Sequence, residues 1–347
     1  MKIVENASLA DYTSMHVGGP AKRLITLEDG DDLVKIASDP SLEKPLWILG
    51  YGTNSLISDK GLPGTVILDR AGSLEWLSPT RVRVSSGLNW DELVQVTIER
   101  GLWGLELTSG VPGGTGAAVV GNIAAYGQQI ADTLVEAQVL NTSDGTTETW
   151  TNDRFKFDYR FSVLALPENQ HLVIVNATFE LSPTRIIELT YDSALKMAAE
   201  MGLQPDTLQN CRQIILAARK KVGAILDASS KTAGSFFKNP LVPADQIDSL
   251  VAHEEFGLTR EQLLNQNQVH GGSAVRVSAA HVLLAAGFER GQTWGQVRLH
   301  PNHILKVENI GSATAQDIYN VVQEIIKTVH EKLNINLEPE VRFIGEF

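Results

Sequence analysis

The feature that most constrains this chain is a pair of glycine-rich segments before residue 130, each demanding close backbone turns and neither matching a Walker or Rossmann pattern. The first, Gly50-Tyr51-Gly52-Thr53-Asn54-Ser55, comes after the compact apolar run Pro45-Leu46-Trp47-Ile48-Leu49, which reads as a strand entering a loop. Asp69 lies where a dinucleotide fold would keep its acidic ribose ligand. The match fails, because Ser55 replaces the third glycine, and Gly61, Pro63 and Gly64 break the helix that should carry a pyrophosphate. A bare pair of glycines is also what a plain tight turn contains. The second segment, Gly110-Val111-Pro112-Gly113-Gly114-Thr115-Gly116-Ala117-Ala118, runs on into Gly121-Asn122-Ile123-Ala124-Ala125-Tyr126-Gly127. Its small side chains let backbone N–H groups approach a phosphate, and would equally serve close packing of a helix on a sheet. Together the two loops favour an extended dinucleotide such as FAD in a non-Rossmann fold.

Composition narrows the partners. At 347 residues with 43% hydrophobic content the chain exceeds one ordinary core, so two or three domains are expected. A formal charge of −12 without a basic run argues against nucleic acid or an anionic membrane as partner. Cys211, the single cysteine, excludes disulfide frameworks and cysteine-based metal sites and suits a reducing cytoplasm. The amino terminus lacks an apolar signal core and no stretch reaches the 18 or so apolar residues of a span, so a cytoplasmic, soluble protein is expected. No feature calls for an obligate protein partner.

Helical and strand periods alternate, as in an α/β or α+β enzyme. Asp31 is expected to cap a short helix through Ser38, Arg81-Val82-Arg83-Val84 alternates like a half-buried strand, and Asn89 to Arg100 reads as a capped helix closed by Gly101. From Thr314 to Lys332 apolar residues recur at helical spacing behind a Thr314/Asp317 capping box. His300 and His303 are three apart, but Pro301 prevents a regular helix and no third metal ligand accompanies them. Ser235 lacks the G-x-S-x-G elbow of a hydrolase.

Four segments in order carry a more specific signal: Tyr12 to Ala21, the two glycine loops, Gly234-Ser235-Phe236-Phe237-Lys238-Asn239-Pro240, and Leu337-Glu338-Pro339-Glu340-Val341-Arg342-Phe343-Ile344-Gly345. Over nearly the whole chain this resembles the UDP-N-acetylenolpyruvoylglucosamine reductase family, in the subtype with an extra tyrosine loop over the substrate. The resemblance implies an α+β, three-domain flavoenzyme: residues 1–69 and 70–218 form a non-Rossmann FAD-binding fold, with 335–347 returning to the 70–218 part, and 219–334 form a smaller α/β substrate-binding domain. It implies FAD as cofactor and NADPH as hydride donor, reducing UDP-N-acetylglucosamine enolpyruvate to UDP-N-acetylmuramate for peptidoglycan synthesis. Rival expectations are an FAD-dependent sugar or alcohol oxidase on the same scaffold, betrayed by rapid reoxidation in air, and a non-catalytic flavin or nucleotide-sugar binding protein.

The same resemblance assigns residues. Arg160 matches the active-site arginine, whose planar permanent charge suits a developing enolate; without the family match, an ion pair with Asp158 or Asp153 is the simpler role. Ser235 matches the proton donor, and a serine there would otherwise be a turn or cap residue. Glu340 matches the catalytic glutamate, with Glu338 the competitor two positions away. Cofactor contacts fall on Tyr51, Gly52, Thr53, Asn54, Ser55, Leu56, Pro112, Gly113, Gly114, Thr115, Gly116, Asn122, Ala124, Tyr126, Gly127 and Arg219. Substrate contacts fall on Tyr159, Tyr191, Asn239 and Lys221, the last standing in for a phosphate-binding lysine because Val222 occupies that register. Ala124 replaces the usual glycine and Thr53 the usual serine, changes that preserve backbone contacts.

Overall fold

The computed structural model describes all residues except 29, 31, 227–229, 244–245, 254–256 and 267–273, with side chains at 264–266 also left out. Two compact units are built from interleaved pieces of chain: the first from Met1–Ser8, Pro20–Gly52 and Leu62–Ile225, the second from Leu9–Gly19, Thr53–Gly61 and Leu226–Phe347.

Two larger sheets organise the first unit. One is ordered Lys2–Ser8, Pro20–Leu27, Leu62–Asp69, Leu46–Leu49, with an antiparallel first pair and parallel pairing thereafter. The expected strand before Gly50 is therefore real, and the loop after it leads into strand Ser55–Ile57 rather than into a helix. Asp69 is no ribose ligand: its buried carboxylate accepts from the Ser86 hydroxyl at 2.5 Å and from Ala71 N–H, and burial raises its pKa against those bonds. The second sheet is antiparallel, ordered Thr147–Thr151, Leu134–Asn141, Leu172–Glu180, Arg81–Ser85, Leu74–Trp76. Its inward residues Val82, Val84, Ala137 and Phe179 pack on Trp90, Leu93 and Val94 of helix Trp90–Glu99. Asn89 caps that helix by accepting from Asp91 and Glu92 N–H, and Gly101, at φ +77°, ends it as expected. Asp31 lies outside the described residues; the short helix Leu33–Ala37 is capped by Asp32.

The second unit is an antiparallel sheet ordered Lys231–Ser235, His303–Asn309, Val297–His300, Thr293–Trp294, with helices Ala279–Ala285 and Ala315–Leu333 sharing its core. The long helix starts where the sequence places it, with the reciprocal Thr314/Asp317 bonds formed. It buries Ile318, Val321, Val322, Ile325 and Val329, each contributing at most about 1.5–3 kcal/mol. Asp59 adds a second cap from far away in sequence, its two oxygens accepting from Ala315 and Gln316 N–H at 2.9 and 2.8 Å. His300 and His303 face each other across the turn of a β-hairpin.

Two expected boundaries shift. A break at 219 would cut the continuous helix Leu208–Lys221, and the compact units divide instead at Ile225/Leu226. The carboxyl-terminal strand Arg342–Ile344 does not join residues 70–218; it pairs in parallel with Ser55–Ile57 inside the second unit, burying Leu56 beside Val341 and Phe343.

Candidate active site

In the first unit the site is built around the second glycine loop. Helix Thr115–Val120 starts at Gly114 and lies so close to the preceding strand's exit that a Cβ on Gly116 would sit 2.8 Å from the Ser86 Cβ. Glycine at 116 is thus demanded by packing, so the small-residue reading of this segment holds at that position. Tyr51 of the first loop lies under the Arg70 guanidinium, 4.2 Å from ring centroid, and donates its hydroxyl to Gly87 O at 3.1 Å. Asp91, in the first turn of its helix, anchors the loop entrance: Gly110 N–H donates to Oδ1 at 2.6 Å, and Arg212 clamps both oxygens at 2.7 and 2.8 Å.

Arg212 and Arg219 stand two turns apart on helix Leu208–Lys221. Arg219 donates to Gly110 O and Ala224 O, while its buried Nε has no partner among the described residues. Burial lowers the guanidinium's pKa and nearby Arg160 adds to the effect, opposed by Tyr126 and Asp91. A buried cation beside a second cation, with a donor unspent, wants an anion. That observation fits a dinucleotide phosphate or another anionic ligand at the glycine loop, and with Tyr51 and Pro112 to Gly116 makes a cradle suited to FAD.

Arg160 sits in a tight two-residue turn closed by reciprocal 3.1 Å bonds between Asp158 and Phe161. Its φ of +52° is a left-handed value that costs an ordinary side chain about 1–2 kcal/mol, and Tyr126 at +50° and Asn122 at +41° share it. Strain concentrated in three neighbouring residues of one candidate site is the kind that a surrounding structure holds for a purpose. Asn122 shows how it is held. Its buried side chain donates to Asp158 O at 2.9 Å and Gln129 Oε1 at 3.2 Å and accepts from Ala131 N–H at 3.0 Å. The side chain expected to touch the cofactor is therefore committed to steadying the turn that carries Tyr159 and Arg160. Asp158, the rival ion-pair partner for Arg160, spends Oδ1 on Tyr159 N–H at 2.6 Å, and Asp153 bonds Thr151.

Tyr191, half exposed at the start of helix Asp192–Met201, meets Tyr126 edge-to-face at 5.6 Å, and burial raises the Tyr126 hydroxyl pKa. Lys221 departs from expectation: its exposed ammonium is gripped by both oxygens of Glu200 at 2.6 and 2.8 Å, because helix Asp192–Met201 packs alongside and brings that carboxylate to it.

In the second unit, Ser235 ends strand Lys231–Ser235 just after a register shift, and Gly234 takes φ +79°, a value that favours glycine and allows the bulge to turn the next side chain. Phe236 and Phe237 then plunge into the core. Glu340 is brought to the same place: its N–H donates to Phe236 O at 2.8 Å, Lys238 N–H donates to Glu338 O at 2.9 Å, and Phe237 pairs with Pro339. Glu338 is exposed and lies 3.6 Å from the Lys238 ammonium, whereas Glu340 is half-buried. Thr53 to Leu56 lie in this unit, where Asn54 donates to Glu340 O at 3.1 Å and Ser55 pairs with Arg342. Asn239 accepts from Ala279 N–H through Oδ1 at 2.9 Å. Sequence reasoning missed Asp91, Arg212 and Asp59, whose importance comes only from partners more than a hundred positions away or from a loop turning back.

Residues 21–151 match a family described as an FAD binding domain, and 226–344, starting where the second unit resumes, match the UDP-N-acetylenolpyruvoylglucosamine reductase C-terminal domain. The chain is thus a flavoenzyme of the class those paired domains define. Its similarity extends over full length to named reductases: 32% identity to the one from Thermobifida fusca, covering 98% of this chain and 97% of that protein, and 29% to the one from Flavobacterium johnsoniae, covering 99% and 100%. The crystal structure of UDP-N-acetylenolpyruvylglucosamine reductase from Thermus caldophilus shares the fold, with TM-score 0.65 at 24% identity over 99% of this chain and 100% of that one. The chain belongs to the UDP-N-acetylenolpyruvoylglucosamine reductase family.

Proposed function

We propose that this chain uses NADPH to reduce UDP-N-acetylglucosamine enolpyruvate to UDP-N-acetylmuramate in peptidoglycan precursor synthesis, acting in the cytoplasm, with Arg160, Ser235 and Glu340 as its catalytic residues. The observation that supports the assignment of residues is the backbone bond from Glu340 N–H to Phe236 O, which holds the segments carrying Ser235 and Glu340 side by side in one unit. No helix among the described residues is long and apolar enough to cross a membrane.

FAD, when bound, would be held by Tyr51, Pro112 to Gly116 and Arg219 and would supply the hydride chemistry between NADPH and the enolpyruvyl ether. The residues of the chain handle the charge and the proton. Negative charge develops next to the substrate carboxylate, and the Arg160 guanidinium, held by its strained turn, stabilises it electrostatically. Ser235 gives its hydroxyl proton to the carbon beside the carboxylate, a donation that an alkanol can make because the carbanion is far more basic than water. Glu340 polarises the substrate carboxylate. Arg219 and the glycine loop hold phosphate.

Titration of the flavin-loaded protein under anaerobic conditions with NADPH, then with the enolpyruvyl sugar nucleotide, tests this. Bleaching and then recovery of the visible spectrum supports it; a protein without flavin absorbance after FAD is supplied overturns it. Ser235→Ala should still bleach with NADPH and fail to recover with the sugar nucleotide, and unimpaired turnover removes Ser235 from the mechanism.

A further inference from the structure

Two buried polar side chains face each other behind the second glycine loop. Glu106 opens the 3-10 turn Glu106–Thr108, just before Gly110, and Gln128 lies in the small hairpin of Ala124–Ala125 and Gln128–Gln129; each side chain belongs to a residue that is 1% exposed. Glu106 Oε2 accepts from Gly104 N–H at 2.7 Å and Oε1 from the Gln128 amide at 2.7 Å, while Gln128 Oε1 accepts from Leu107 N–H at 2.8 Å. Among the described residues the Glu106 carboxylate enters no ion pair. A buried carboxylate answered only by neutral donors is expensive, and two apolar side chains of similar size would pack there at lower cost. A fully bonded buried network does what they cannot: it fixes one arrangement of the segments it joins.

The hairpin needs fixing. It has two residues per strand, too few to hold its own shape, and its turn is Tyr126-Gly127 with φ of +50° and +95°, a type I′ form that a tyrosine resists. Gln128 and Gln129 project to opposite faces. Gln129 is bound on its face by Asn122 and Asp132, so Glu106 anchors the other. Glu106 is itself held, because its carbonyl accepts from the Ser109 hydroxyl at 2.6 Å and Thr108 of the same turn accepts from buried Trp90 Nε1 at 3.1 Å. At the tip, Tyr126 meets Tyr191 edge-to-face at 5.6 Å and lies near enough to Arg219 for each to act on the other's charge.

We infer that Glu106 is a positioning residue for Tyr126: through Gln128 it sets the pitch of the hairpin and seats the tyrosine ring beside Arg219 and Tyr191, where it meets the flavin. The flavin contact rests on the function proposed above; the hold on the hairpin does not.

Swapping the two side chains tests it. Glu106→Gln alone turns an NH2 toward either Gly104 N–H or the Gln128 amide, so one bond is lost. In Glu106→Gln/Gln128→Glu all three return: the new amide accepts from Gly104 N–H and donates to the new carboxylate, which accepts from Leu107 N–H. FAD affinity, read by fluorescence titration, should weaken about tenfold in the single variant and return to within about twofold of wild type in the swapped one. In a Tyr126→Ala background Glu106→Gln should weaken it by less than about threefold, because the ring that it seats is gone; a role in general stability would leave the two effects additive. Amide hydrogen exchange at residues 124–129, followed by mass spectrometry, should speed up about tenfold in Glu106→Gln and recover in the swapped variant. Unchanged FAD affinity or unchanged hydrogen exchange in Glu106→Gln overturns the inference, as does additivity with Tyr126→Ala. A swapped variant that fails to fold, or folds with weakened FAD affinity, overturns it too, and that variant decides alone if Glu106→Gln does not fold. Wild-type protein that takes up no FAD sinks the proposed function instead, and hydrogen exchange at the hairpin then decides whether Glu106 holds it.

Discussion

Asp91→Asn removes one charge and keeps the shape, so it isolates what the Asp91 clamp contributes. The carboxylate takes three N–H donors, two from Arg212 and one from Gly110, at 2.6 to 2.8 Å. An amide retains one acceptor oxygen and turns an NH2 toward a remaining donor, so at least one charge-assisted bond is lost. Such bonds contribute about 1.5–3 kcal/mol, and with Arg212 and Asp91 side chains 18% and 31% exposed a loss of about 2 kcal/mol is expected. For a cooperative unit of about 150–250 residues that lowers Tm by roughly 4–8 °C. Although burial alone would raise the Asp91 pKa, the bonds from Arg212 and Gly110 and the charges of Arg212 and Arg219 bring it below the ordinary value. A depressed carboxylate stabilises the fold above its unfolded pKa and loses that contribution as pH falls through the folded one. The Tm gap between wild type and variant should therefore be full at pH 7 and close below about pH 4. Because Gly110 loosens, FAD affinity measured by fluorescence titration should weaken about tenfold, the equivalent of 1.4 kcal/mol. Circular dichroism melts that differ by less than a degree at pH 7, with unchanged FAD affinity, would refute the clamp.

Asn122→Ala strips three bonds from a buried, left-handed position and should cost about 2–4 kcal/mol in urea denaturation, with kcat falling more than KM rises as the Arg160 turn relaxes. Glu340→Gln should lower kcat about a hundredfold or more, whereas Glu338→Ala, which breaks only an exposed 3.6 Å pair with Lys238, should leave kcat unchanged; equal losses would reverse the choice between the two carboxylates.

Local signals were legible wherever the residues that make an element are neighbours in sequence. The Thr314/Asp317 box, the Asn89 cap and the Gly101 stop each operate within a turn or two, so pattern alone locates those helices. The failure of the first glycine loop to make a Rossmann turn was equally visible, since Pro63 and Gly64 deny it a helix. Long-range commitments were not visible. Lys221 is a free cation in sequence and an ion pair in space, because the neighbouring helix delivers Glu200. Asn122 looks like a ligand-facing amide beside glycines until its three bonds are traced to residues 129, 131 and 158. The preference for Glu340 over Glu338 rested on family register alone, and only the structure shows Glu338 exposed beside Lys238.

The interleaving of the two units also bears on how the chain is made. Leu9–Gly19 and Thr53–Gly61 emerge from the ribosome early, yet the strand that pairs with Ser55–Ile57 is Arg342–Ile344, translated nearly the whole sequence later. Nascent protein must therefore carry apolar Met15, Val17 and Leu56 without their partners through most of synthesis. Closure of that pair of strands is a late, high-contact-order event, and until it happens the early segments expose apolar side chains that the finished unit buries.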